Sequence, residues 1–186
     1  MATRDKYRGI FVTGILILAI GIFFLAGCGE RGTSTSPPAG PAGGETAKLA
    51  ATFSLQDLMG KTVSLESLQG KVVILDFWAT WCGPCKEAMP VLQQLSDKYV
   101  NKGVVVIGVN QRESLGKVKD FITSNKFTYQ QLLDSNGKVG NDYGVEGIPT
   151  LVIIDQKRNQ AMTHVGYTPE LANIISEKVD SLLKGA

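Results

Sequence analysis

The chain has 186 residues, 44% of them apolar, with 19 basic side chains against 17 acidic ones, which suffices for one domain with a core of its own plus a short extension. A net charge of +2 offers no basic surplus for holding nucleic acid or an anionic membrane by charge alone, so no nucleic-acid partner is expected. Three cysteines are too few for a disulfide scaffold.

Arg4, Lys6 and Arg8 precede an apolar run over residues 9–25 that only Thr13 interrupts, and the run closes on Leu25-Ala26-Gly27-Cys28. This is the layout of a secretory signal, so residues 1–27 are expected to be a signal peptide. Small residues before a cysteine resemble the lipobox of bacterial lipoproteins, which implies that Cys28 is acylated and becomes the new N-terminus. An uncleaved signal anchor is the alternative, because the run is nearly long enough to span a bilayer. Both readings place the rest of the chain outside the cytoplasm. Beyond residue 27 remain sixteen of the 19 basic groups and sixteen of the 17 acidic ones, a neutral balance that leaves attachment to lipid. A single acyl chain binds only marginally, so more than one is expected. With Cys28, residues 28–46 (CGERGTSTSPPAGPAGGET) contain no large apolar side chain and read as a lipidated, flexible linker.

Residues 47–186 carry the domain, in which strands alternate with helices. Residues 53–55 and 62–64 read as short extended pieces around a turn at Met59-Gly60. Residues 71–78, KVVILDFW, are almost continuously apolar and β-branched, as a strand buried on both faces should be. A helix is predicted over 84–99, its stripe formed by Met89, Val91, Leu92 and Leu95. A second buried strand follows over 103–109, then a helix over 117–125, a short strand over 129–133, a turn at Asn136-Gly137 and a short helix over 139–143. Residues 150–154 and 161–164 form a hairpin around 155–159, and a helix over 171–183 closes the chain, with Thr168 as N-cap and Pro169 at its first position. The class is α/β, with a sheet mostly parallel in its first half and made mixed by the hairpin.

The chemistry concentrates in Trp81-Cys82-Gly83-Pro84-Cys85, directly after a buried strand and at the opening of a helix. A thiol at a helix N-terminus meets unpaired N–H groups and the positive end of the dipole, both of which favour thiolate, the attacking species. A spacing of three sets Cys85 one turn on, on the same helical face. Pro84 suits a first turn because its missing N–H would have no partner there, and Gly83 keeps side-chain bulk away from the sulfurs. So close a pair stabilises a fold very little, which argues for chemistry over stapling. A structural zinc site would need four ligands, and His164 is the only other soft one beyond Cys28. No metal or other cofactor is expected.

The stretch KVVILDFWATWCGPCKEAMP resembles the active-site segment of the thioredoxin superfamily, and residues 53–167 resemble its exported TlpA/ResA-like branch. The lead-in FSLQDLMGKTVSLESLQGK is typical of that branch and of peroxiredoxins, and GVEGIPT over 144–150 is similar to the segment holding the superfamily's cis-proline. The resemblance implies a thioredoxin-like fold: a central mixed β-sheet flanked by helices, with an N-terminal extension and a central αβ insertion. It implies that Ile148-Pro149 is cis and that Trp81, Gly83, Pro84, Ile148 and Pro149 meet an extended substrate peptide. It further implies catalysis by Cys82, Cys85 and Asp76, the last matching a buried aspartate whose raised pKa lets it exchange a proton with Cys85. ResA-like proteins usually carry a glutamate where this chain has Ala88, and Glu87 is turned about 100° away, toward solvent.

The implied activity is protein-disulfide reduction in oxidised exported clients, apocytochrome c foremost, by a monomer re-reduced by a membrane thiol donor. An exported disulfide oxidant or isomerase would use the same cysteines. A peroxiredoxin-like peroxidase would need Pro-x-x-x-Thr-x-x-Cys, whereas Phe77-Trp78-Ala79-Thr80 contains no proline.

Overall fold

A computed structural model describes residues 48–185; the expected signal peptide (1–27), Cys28 and its lipid, and the linker to residue 46 lie outside the described residues. Seven strands form one sheet in the order β2-β1-β5-β4-β3-β6-β7. They are β1 (Ser54–Asp57), β2 (Thr62–Ser64), β3 (Val72–Trp78), β4 (Val104–Gln111), β5 (Gln130–Asp134), β6 (Thr150–Ile154) and β7 (Gln160–Val165). Strands β3, β4 and β5 are parallel, whereas the β1–β2 and β6–β7 hairpins join them antiparallel. The mixed sheet read from the alternation of elements is therefore present, flanked by helices as the resemblance implied.

All seven residues of β3 are buried, because a central strand is covered on both faces. Val72, Ile74 and Trp78 pack under helices α1 (Gly83–Lys98), α2 (Leu115–Asn125) and α4 (Leu171–Lys184). Val73, Leu75 and Phe77 face the opposite layer, where Phe53, Leu65 and Leu68 meet Val139 and Tyr143 of α3 (Lys138–Asp142) and its flank. Helix α1 buries Cys85, Ala88, Met89, Leu92 and Leu95 at the 3–4 spacing of one face. Each fully buried Leu or Met there contributes about 1.5–3 kcal/mol. Val91, expected in that stripe, is only half-buried, and Glu87 points to solvent as expected.

One helix start and one helix cap differ from the sequence reading. Helix α2 opens at Leu115, two residues early, with Ser114 at its N-cap position and Gly116 accommodated in the first turn. Helix α4 opens at Leu171 with Glu170, not Thr168, at the N-cap. The reason is a preceding turn, Leu171 N–H to Thr168 O at 3.0 Å, while the Thr168 hydroxyl is engaged by the Glu170 carboxylate.

A buried carboxylate organises the approach to the site. Asp134, at the end of β5, accepts the N–H groups of Val139 (3.2 Å) and Gly140 (2.8 Å) and the Gln111 amide (3.1 Å). It thereby caps α3, which leads into the loop before Pro149 through a Val145 N–H to Gly140 O bond of 2.9 Å. Replacing Asp134 by alanine strips a buried cluster of its acceptor and should cost about 2–3 kcal/mol in urea unfolding. A loss below about 0.5 kcal/mol would show that α3 does not depend on this cap.

Candidate active site

Strand β3 ends at Trp78 in the core, and a turn closed by Cys82 N–H to Ala79 O (3.1 Å) throws Trp81 outward and brings Cys82 to the head of α1. Trp81 is 68% exposed, whereas Cys82 is 4% exposed and Cys85 fully buried. The two cysteines are joined in a disulfide, with Cα atoms 5.3 Å apart. Cys82 is the N-cap of α1 in extended backbone conformation, and its Sγ accepts the N–H of Cys85 at 3.2 Å. The sulfur thus stands in for the side-chain oxygen that usually caps a helix. Its other polar neighbour is the Ile148 carbonyl oxygen at 3.6 Å. In the disulfide that contact has no hydrogen to share, so it places the cysteine against the loop without bonding it.

The Ile148–Pro149 bond is cis. Pro149 is buried, and its carbonyl accepts the Gly166 N–H at 2.8 Å. Beside the cysteine pair lies a groove of about 590 Å³ whose walls include Trp81, Arg112, Val145, Glu146, Gly147 and Ile148. Trp81 and Ile148, expected at the substrate edge, therefore share one cleft, whereas Gly83 and Pro84 are exposed but do not line it. Arg112, outside every motif, and Glu146, within the GVEGIPT segment but given no role there, add a cation and an anion to the walls.

Asp76 lies mid-way along β3, fully buried, on the face that Ile74 and Trp78 share with the two cysteines. Neither of its carboxyl oxygens has a hydrogen-bond partner among the described residues. Burial alone pushes its pKa from 3.8 to about 8. Trp78 is packed against Phe121, and its indole N–H donates to Gln131 Oε1 at 2.9 Å. His164 is half-buried on β7, paired with Leu151, which is paired in turn with Asp76.

A second buried acid, Glu113, ties the turn before the cysteine pair to the β4–α2 connection. Its Oε2 accepts the Thr80 N–H (2.7 Å) and the Asn110 amide (2.8 Å), its Oε1 accepts the Thr80 hydroxyl (2.7 Å), and Lys117 Nζ stands at 2.7 Å. Burial would raise its pKa, but the donors from Asn110, Lys117 and Thr80 outweigh that and hold it at about 2. Sequence reasoning missed Glu113, since nothing in Asn110-Gln111-Arg112-Glu113 reveals a partner 33 residues upstream.

A family model described as "AhpC/TSA family" matches residues 46–160. The thiol-disulfide oxidoreductase ResA of Bacillus thuringiensis subsp. konkukian is 38% identical over 112 residues, 60% of this chain and 65% of that protein, just under two thirds of its length. The thioredoxin-like protein YneN of Bacillus subtilis is 37% identical over 125 residues, covering 66% of this chain and 72% of that protein. Among solved structures, a candidate thiol:disulfide interchange protein DsbE from Chlorobium tepidum superposes with a TM-score of 0.70 at 33% identity, over 74% of this chain and 96% of that one.

The two buried acids have opposite effects on stability. Unfolded, Asp76 ionises near 3.8; folded, it keeps its proton to about 8. Between those values only the unfolded chain releases the proton, so stability is full below 3.8 and is lost as pH rises through 8. Asp76→Asn should therefore unfold at higher urea than the wild type at pH 7, by at most about 4 kcal/mol. That gain should vanish near pH 4; a variant no more stable at pH 7 than at pH 4, relative to wild type, would refute the buried-acid account. Glu113 behaves in reverse, its contribution being present above 4.5 and lost as pH falls through 2. Glu113→Gln should cost about 2–3 kcal/mol at pH 7 and progressively less in acid. A loss independent of pH would point to packing instead.

Proposed function

Because this chain belongs to the AhpC/TSA family, in the ResA/TlpA-like group of the thioredoxin superfamily, we propose that it is a thiol–disulfide oxidoreductase, exported and held to a bacterial membrane through lipid on Cys28, that reduces disulfides in exported client proteins. The observation that carries this reading is the Cys82–Cys85 disulfide at the head of α1, with the Cys85 N–H directed at Cys82 Sγ. The names of the relatives, oxidoreductase and interchange protein, support it. So does the absence of the peroxidase proline before Cys82.

The cycle starts from the dithiol. The Cys82 thiolate attacks one sulfur of a client disulfide, forming a mixed disulfide and expelling the other client sulfur as thiolate. Cys85 then attacks the Cys82 sulfur, closing the ring and releasing the second client sulfur. Two electrons pass to the client, and the domain ends as the disulfide seen here. Because Cys85 is fully buried, its proton cannot pass directly to bulk water. Asp76 on the same face, with an ionisation midpoint near 8, is the base assigned to it. Trp81, Ile148, Pro149 and the groove beside them receive the client segment next to its cysteine, with Gly83 and Pro84 leaving the sulfurs approachable. A membrane thiol carrier restores the dithiol. An apocytochrome c with its cysteine pair oxidised is the first client to test.

Trapping decides the question. A Cys85→Ala variant cannot resolve the mixed disulfide and should accumulate client adducts on non-reducing gels, which reductant dissolves. Cys82→Ser should give none and should abolish insulin-disulfide reduction. Absence of any adduct with Cys85→Ala, or undiminished insulin reduction by Cys82→Ser, would overturn the assignment.

A further inference from the structure

Strand β4 reads VVVIGVNQ, and Gly108 is its one residue without a side chain. In the sheet, Gly108 is paired with Asp76 of β3 on one side and with Gln131 of β5 on the other. Paired residues on neighbouring strands share a face about 4.8 Å apart, so the missing side chain opens a slot between Asp76 and Gln131. Gln131 occupies it: a Cβ on Gly108 would lie 2.1 Å from Gln131 Oε1 and 2.9 Å from its Nε2. The amide therefore reaches across β4 toward β3. Its orientation is fixed, because Oε1 accepts the Trp78 indole N–H at 2.9 Å. Nε2 has only a long bond of 3.4 Å, to the Tyr129 carbonyl, and one of its hydrogens is uncommitted.

Tyr129, in the bend just before β5, belongs to the buried cluster that holds Ile74, Trp78 and the two cysteines. Its hydroxyl is buried and has no partner among the described residues, as is true of both oxygens of Asp76. Unpaired donors and an unpaired acid thus lie along one seam beneath α1. Burial, then the charge of Asp76, pushes the Tyr129 hydroxyl well above the usual phenol range and outweighs the nearby Gln131 amide, which acts the other way, so the hydroxyl keeps its proton and remains a donor when Asp76 ionises.

We propose that Gln131 and Tyr129 are positioning residues that donate hydrogen bonds to the ionised carboxylate of Asp76, and thereby set the pH at which it takes the proton of Cys85. This rests on the role given to Asp76 above. Few other titratable groups lie around this seam. Helix α1 contributes Cys82 and Cys85, with Lys86 over the Phe121 ring and Tyr99 bonded to Asp180 at the far end. The end of β4 leads to Glu113, paired with Lys117. Strand β6 and helices α2 and α4 bring apolar groups, among them Leu151, Ile153, Val118, Ile122, Leu171 and Ile175.

The test is a carboxyl-carbon NMR titration of the oxidised, aspartate-labelled protein, in which neither cysteine titrates, with the Asp76 signal identified by its loss in Asp76→Asn. Burial alone would hold the midpoint near 8, and the two donors should bring that of wild type below it. Tyr129→Phe and Gln131→Met should each raise it by about one pH unit, a roughly tenfold gain in proton affinity from losing one bond to a charged group. Gly108→Ala, whose methyl group displaces the same amide, should reproduce Gln131→Met and decides the matter if that variant does not fold. The Asp76-dependent limb of the pH–rate profile for client reduction should move by the same interval in the same direction. Midpoints that stay in place or fall would overturn the proposal. A pH–rate profile unchanged by Asp76→Asn would instead defeat the catalytic role of Asp76, whatever the midpoints do.

Discussion

Everything at this site depends on a sulfur taking the place of a helix cap. Cys82 Sγ accepts the Cys85 N–H at 3.2 Å, where the first turn of α1 has donors without intrahelical partners. Reduction converts that contact into a bond to a charged acceptor, of about 1.5–3 kcal/mol, and the helix dipole adds up to about 2 kcal/mol. The Ile148 carbonyl at 3.6 Å opposes it, since its oxygen turns negative charge toward the thiolate. It is a single, longer contact without a hydrogen in between, so the cap prevails. The rest of the domain holds this geometry in place: β3 fixes where the turn begins, Glu113 ties its Thr80, and the cis Ile148–Pro149 bond brings the opposing loop alongside.

Two buried acids show how one environment yields two chemistries. Asp76 and Glu113 are both removed from water, yet one is held near 8 and the other near 2. Burial favours the neutral form of each, and the difference lies in the donors. Glu113 has Thr80, Asn110 and Lys117 around it, whereas Asp76 has no bonded partner among the described residues. The satisfied acid is a permanent anion suited to bracing the catalytic turn. The unsatisfied one can change charge near neutral pH, as a proton-exchanging group must.

Much of this was legible in the chain. The eight letters KVVILDFW mark a strand with no solvent face, and CGPC after them marks a helix start, because period and punctuation are local signals. The hairpins and the cis-proline segment followed from turn residues and from family resemblance. What escaped was polar and distant in sequence. Glu113 meets Thr80 only because β3 and β4 pair in a particular register, and Gln131 meets Trp78 only because β5 is added to that register. Gly108, a glycine within a β-branched run, was the one local sign of a close approach. Thr168 shows the converse error: a good capping residue was spent on a preceding turn, and the helix began later.

The most direct measurement is the titration of Cys82 in the reduced protein, followed by thiolate absorbance in a Cys85→Ala background. A capped sulfur should ionise clearly below free cysteine, at or under a pKa of about 7.5. Ionisation at about 8.5 or above, as for an unperturbed thiol, would contradict the cap and the reactivity built on it.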